Sequence, residues 1–129
     1  MKKTLLFVFA ALLLMSAKKD SGAITKENGV YVVNTTTLCD KVEGYHGPVP
    51  VKIFIKDGKV DHIEVLKNQE DAKYLAKVKR QLLHAWDGLT VKEAQSKKAD
   101  AVTGATFTSK ALIKNVQTGL NHFQTSKKK

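Results

Sequence analysis

Apolar and polar positions divide the chain into stretches of different period. From Leu5 to Met15 every residue is apolar, eleven in succession. A bilayer span takes ~20 residues, so this run suits the apolar core of a secretory leader, with Lys2 and Lys3 as its positive start. A polar stretch, Lys18 to Asn28, follows. Val30 to Val33 and the threonines after them predict a strand through β-branching. Gly44-Tyr45-His46-Gly47-Pro48 marks a loop. Val49, Val51, Ile53 and Ile55 then alternate with Pro50, Lys52, Phe54 and Lys56, a period of two. Asp57-Gly58 is a turn signal, and Val60 to Leu66 resumes a strand. A strict two-residue turn sets Ile53 against His62. A longer loop or a bulge sets Ile53 against Ile63 and Val51 against Val65, matching apolar to apolar, and is preferred.

Period 3.6 takes over at Asp71. Leu75, Val78, Leu82 and Ala85 share one face, while Lys73, Lys77, Arg80, Gln81 and His84 take the other, and Asp87-Gly88 stops the helix. A connector with Lys92, Lys97 and Lys98 leads to a last helix from about Thr106 to Phe123, striped by Leu112, Val116, Leu120 and Phe123. Ser126 to Lys129 reads as a solvated charge run. Strands joined by a tight turn, then helices, imply a small antiparallel sheet with helices packed on one face, a single α+β domain. The expected limits are a leader over 1–23, a domain over 24–124 and a basic tail over 125–129.

Composition narrows this picture. Hydrophobic residues make up 43% and charged residues 26% of the 129, which suits one globular domain rather than a fibrous or disordered chain. The formal charge is +10, but Arg80 is the only arginine among 22 basic residues. Nucleic-acid readers rely on arginine for bidentate contacts, so the lysine surplus argues against that class. Cys39, alone, excludes an intrachain disulfide and a cysteine-based metal cluster. No cysteine lies near the end of the apolar run, which argues against a lipoprotein anchor.

Cleavage after Ala17 puts Met15 where a small residue is preferred. Cleavage after Ala23 satisfies that preference through Ser21 but encloses Lys18, Lys19 and Asp20. Either way the protein is expected outside the cytoplasm, in the periplasm or at the cell surface. Losing Lys2 and Lys3 takes the charge from +10 to +8. A buried core helix is the alternative for this segment.

The chemistry concentrates at Asp100-Ala101-Val102-Thr103-Gly104-Ala105-Thr106-Phe107-Thr108-Ser109. Tiny residues and hydroxyls stand immediately before an amphipathic helix, where unpaired amides and the helix dipole suit an anion such as phosphate. Ordinary capping by Thr or Ser is the competing reading. No lysine follows the glycine at Walker spacing, so this is not a triphosphate-binding loop.

Asp100 to Thr106 resembles the flavinylation motif D-x-x-[ST]-G-A-T of the FMN-binding domain family. Members of that family occur in the sodium-translocating NADH:quinone reductase and in the Rnf complex. The resemblance extends to Gly44, Tyr45 and Gly47 before the hairpin, and covers roughly Asn28 to Phe123. It implies that a flavin transferase uses FAD to attach FMN, through its phosphate, to Thr106, with Thr108 the rival hydroxyl. Thr103, Gly104, Ala105 and Ser109 would complete the phosphate end. Asp100 would be read by the transferase. Tyr45, His46 and Glu70 would neighbour the ring. Several members carry His-x-Glu-Thr-Pro-Gly after the second hairpin strand; here Asn68-Gln69-Glu70-Asp71-Ala72-Lys73 keeps only the glutamate.

The resemblance implies an exported electron carrier, rather than a stand-alone enzyme, receiving electrons from a membrane redox complex, another flavoprotein or a cytochrome. Two rivals come from other classes: a module that binds FMN reversibly or not at all, and a cationic protein whose Lys67, Lys73, Lys77 and Lys79 meet an anionic membrane surface. His46, His62, His84 and His122 have no i, i+4 pair of the kind that builds a helical zinc site, and read as surface or packing residues. Trp86 reads as core, and no G-x-S-x-G elbow supports a hydrolase.

Overall fold

The computed structural model describes residues 23–127; the leader segment proposed from the sequence lies outside them, apart from Ala23. Four strands, β1 (Ile24–Glu27), β2 (Val30–Asn34), β3 (Val51–Lys56) and β4 (Lys59–Val65), form one antiparallel sheet in the order β1-β2-β3-β4. Three helices follow: α1 (Ala72–Gln81), α2 (Val91–Ser96) and α3 (Thr106–Lys127). This is the α+β class that the pattern predicts.

The β3–β4 hairpin joins both halves of the sequence argument. Asp57-Gly58 is a two-residue turn with both residues at positive φ, 53° and 77°, while a register shift between Phe54 and Ile55 inserts a bulge. The bulge pairs Ile53 with Ile63 and Val51 with Val65. A one-residue slip would have turned the apolar row to solvent, so burial of that row selects the bulge.

Strand β1 lies inside the stretch read from sequence as merely polar. Only Ile24 of its four residues is partly buried, so as an edge strand it shows almost no alternation. The signal for it was Asn28-Gly29, a hairpin turn at φ 53° and 82°.

The helix expected through Ala85 divides. α1 ends at Gln81, and Leu83–Trp86 forms a tighter 3₁₀ turn. Leu82, Leu83 and Trp86 are all buried, and tightening to three residues per turn aligns Leu83 with Trp86. The connector contains α2, opened by Thr90-Val91-Lys92-Glu93 as a capping box. α3 continues to Lys127, into the segment read as a tail.

Val51, Ile53 and Ile55 of β3 and Val60 and Ile63 of β4 meet Leu112, Val116, Leu120 and Phe123 of α3, with Val78 and Trp86 alongside. Each large side chain buried there contributes ~1.5–3 kcal/mol. Asn115, fully buried on α3, accepts from Thr35 Oγ1 at 2.5 Å and donates to the Ala111 carbonyl at 2.9 Å. This bond ties the long helix to the end of β2.

Candidate functional site

Val102 to Ala105 forms a β-turn, closed by the Ala105 amide donating to the Val102 carbonyl at 2.9 Å. Gly104 takes the third position at φ 85°, where a residue with a Cβ is strained. Val102 and Ala105 are buried and anchor the turn, while Thr103 and Gly104 face solvent. Ser109 fastens it from below: its hydroxyl accepts from the Val102 amide at 2.9 Å and donates to the Ala105 carbonyl at 2.7 Å.

Helix α3 begins here without a cap. The Ser109 amide makes the first α-helical bond, to the Ala105 carbonyl at 2.9 Å. Ala105, just before the first helical residue, carries no side-chain oxygen. Among the described residues, the amides of Thr106, Phe107 and Thr108 have neither a backbone nor a side-chain acceptor. The capping reading of the threonine cluster therefore fails: Thr106 and Thr108 sit inside the helix. Three amides at the positive end of the dipole are left without an acceptor in the chain, an arrangement that suits an anion.

The four hydroxyls then separate. Thr103 and Thr106 are exposed. Thr108 is 3% and Ser109 0% exposed, and both hydroxyls are committed to protein partners. Thr108 Oγ1 donates to Glu70 Oε1 at 2.5 Å.

Glu70 is 8% exposed and joins three elements. Besides the Thr108 hydroxyl, its carboxylate accepts from the Tyr45 amide at 2.8 Å and the His46 amide at 2.6 Å. Burial alone would push its pKa up; the Thr108 hydroxyl, the two amides and the charge of His46 outweigh it and hold the carboxyl below the usual glutamate value. Local chemistry turns this side chain inward. Asn68 Oδ1 accepts from the Glu70 amide at 2.9 Å, and its Nδ2 donates to the Leu66 carbonyl at 2.8 Å. Asp71 then caps α1 by accepting from the Lys73 amide at 2.9 Å. Thus the residues that depart from the His-x-Glu-Thr-Pro-Gly pattern build the bend that presents the glutamate. Gly44 lacks a Cβ because one would collide with the Glu70 carboxylate and stand 3.0 Å from Val49 Cγ2.

Above this junction lies an open cleft of about 330 Å³, lined by Tyr45, Tyr74, Gly104, Ala105, Thr106, Phe107 and Thr108. The large hydrophobic residues exposed among the described ones are Tyr45 at 60%, Tyr74 at 42% and Phe107 at 63%, and all three line it. Tyr45 and Phe107 stack with centroids 6.0 Å apart and planes 26° apart. Tyr45 also meets the His46 ring edge-on at 4.5 Å. Such a concentration of exposed aromatic surface marks a binding surface for a flat apolar group. Lys77, on α1, donates from Nζ to the Thr103 carbonyl at 2.8 Å.

The fold therefore gathers Tyr45, Gly104, Ala105, Thr106 and Thr108 around one cleft, with Glu70 beneath it and Thr103 on the adjoining turn. Asp100 is exposed on the connector and does not line the cleft. Sequence reasoning missed Tyr74 and Phe107 and placed Lys77 on a solvated face. For the two aromatics a signal existed, since each lies one residue off the buried stripe of its helix. Lys77 had no such signal, being 26 residues from the carbonyl it binds. Elsewhere, His62 stacks on Phe54 at 4.2 Å on the outer sheet face and His84 contacts Asp87 at 2.9 Å. Cys39 is buried, which pushes its thiol pKa up. Trp86 is core, with Nε1 unpartnered among the described residues.

Open amides beside an exposed hydroxyl, next to an aromatic cleft, define a site for a ligand with one anionic end and one flat end. A family model described as FMN-binding domain matches residues 44–121, and the chain belongs to that family. It is an FMN-binding flavoprotein. A search of curated proteins finds no match to this chain. The donor set fits the cofactor: amides 106 to 108 and Lys77 suit a phosphate, and Tyr45, Tyr74 and Phe107 suit an isoalloxazine ring.

Proposed function

We propose that this protein is an exported electron carrier whose FMN is esterified through phosphate to Thr106. One observation carries the attachment point: of the two threonines on the first turn of α3, Thr106 is exposed in the cleft, whereas Thr108 is buried and donates to Glu70. A transferase must reach the hydroxyl it modifies. In that reaction Thr106 Oγ1 bonds to the flavin-side phosphorus of FAD, the pyrophosphate bond breaks, AMP departs and the threonine proton is released.

Bound FMN supplies the electron-carrying chemistry, while the chain binds and orients it. The amides of 106 to 108 would hold the phosphate end, and Tyr45, Tyr74 and Phe107 would pack against the flat ring. An ester prevents loss of the cofactor outside the cytoplasm, where a free flavin would diffuse away. The partners on this reading are a flavin transferase and a membrane redox complex, another flavoprotein or a cytochrome. Export rests on the basic start and apolar run of the leader. Cleavage after Ala17 is favoured because Ala23 is buried in the domain.

Co-expression with a flavin transferase, followed by denaturation, intact mass and in-gel fluorescence, tests the proposal. The native chain should carry one FMN, Thr106→Ala none, and Thr108→Ala one. An adduct that survives in Thr106→Ala overturns the assignment. A second reading, association with an anionic membrane, draws on the absence of any Lys or Arg paired with a carboxylate among the described residues. It predicts salt-sensitive binding of a colourless protein to anionic vesicles.

A further inference from the structure

We propose that Lys77 is the counter-ion of the cofactor's phosphate and gives the site its preference for a phosphorylated flavin. This rests on the reading above, in which the phosphate lies at the start of α3. Three observations on α1 and the motif turn lead to it.

First, the ammonium is fixed. Lys77 Nζ donates to the Thr103 carbonyl at 2.8 Å, and a Cβ on Gly104 would stand 3.5 Å from it. The cation is therefore held at the glycine of the turn, two residues before Thr106. A flexible lysine loses much rotamer freedom on meeting an anion, whereas one already held loses less. Second, it is not neutralised. No carboxylate pairs with Lys77 among the described residues, and one hydrogen bond uses one of its three donors. Third, α1 borders the same cleft. Tyr74, one helical turn before Lys77, lines it together with Gly104 to Thr108.

The amides of 106 to 108 supply dipoles but no net charge, and the first turn of α3 has no acidic residue to repel an anion. Phosphate in FMN, or in its threonyl ester, keeps negative charge at neutral pH. A charged donor beside open amides makes the stronger class of hydrogen bond and favours the phosphate over riboflavin's terminal hydroxyl. Lys77 is thus a specificity residue, and the Thr103 carbonyl positions it.

Reversible binding by the chain produced without a transferase provides the test, read as flavin fluorescence quenching with FMN and with riboflavin at low salt. The native chain should prefer FMN. Lys77→Gln keeps a donor for the Thr103 carbonyl but loses the charge, and should reduce that preference about tenfold, or 1.4 kcal/mol, with riboflavin affinity unchanged. Lys77→Arg should retain it. Equal weakening of both ligands in Lys77→Gln, an unchanged preference, or a native chain that fails to favour FMN would each overturn the inference. Reversible binding needs no ester, so this assay reads the phosphate preference independently of attachment at Thr106. Loss of covalent loading alone therefore bears on Thr106, and loss of phosphate preference alone on Lys77.

Discussion

Helices α2 and α3 each begin beside a threonine, yet their first turns are closed in opposite ways. At α2, Thr90 accepts from the Glu93 amide at 3.1 Å and Glu93 reaches back to the Thr90 amide at 2.9 Å. At α3, Ala105 has no acceptor to offer, and the threonines that follow point either to solvent or to Glu70. A missing cap costs ~1 kcal/mol. The four large apolar side chains that α3 buries, Leu112, Val116, Leu120 and Phe123, contribute ~1.5–3 kcal/mol each. A six-residue helix cannot spare its cap; a 22-residue helix packed on a sheet can. Ser109 and Thr108 hold that turn from the inside, so the outer amides stay open without fraying.

The largest effect that tests this contrast is chemical. Thr106→Ala should abolish covalent flavin outright, while Thr90→Ala should leave loading unchanged, both read by intact mass after co-expression with a transferase.

Removing the inner support comes next. Glu70→Ala leaves two amides and the Thr108 hydroxyl without their acceptor and should destabilise the fold by ~2–3 kcal/mol in denaturant titration. The same carboxylate predicts an acid dependence. Its folded pKa lies below its unfolded value, so its contribution is present above the ordinary glutamate pKa and is lost as pH falls through the lowered one. Glu70→Gln should flatten stability against pH in that acidic window.

Gly104→Ala should cost ~1–2 kcal/mol from backbone strain at φ 85°, since the new methyl meets Lys77 Nζ only at ordinary contact distance. Smallest of the four, Thr90→Ala should cost ~1 kcal/mol by opening α2. A larger loss there would mean that α2 supports the core more than its length suggests.

Much of the fold was legible because apolar periodicity follows burial directly. The bulged register of β3 and β4 could be read from the match of Ile53 to Ile63 and Val51 to Val65, and the stripe Leu112, Val116, Leu120, Phe123 is buried as expected. What was missed had weak or overlooked local signals: β1 buries little, and the Thr90 to Glu93 box is short. The site was half legible. Its motif is contiguous, so glycine, hydroxyls and helix start could be found together. Residue chemistry alone did not separate Thr106 from Thr108, which are alike and two residues apart; only the resemblance to the motif favoured Thr106.

By itself, the sequence determined the class of fold, the place of a turn rich in small residues and hydroxyls at a helix start, and the kind of cofactor that the motif resembles, since these depend on short-range period, turn chemistry and helix ends. Only the tertiary structure decided which hydroxyl is exposed, that Glu70 ties the Tyr45 loop to α3, and that Lys77 meets the motif turn. Those depend on contacts spanning 24 to 38 residues, and separations of that length leave no periodic trace in the chain; burial of a shared core brings them together.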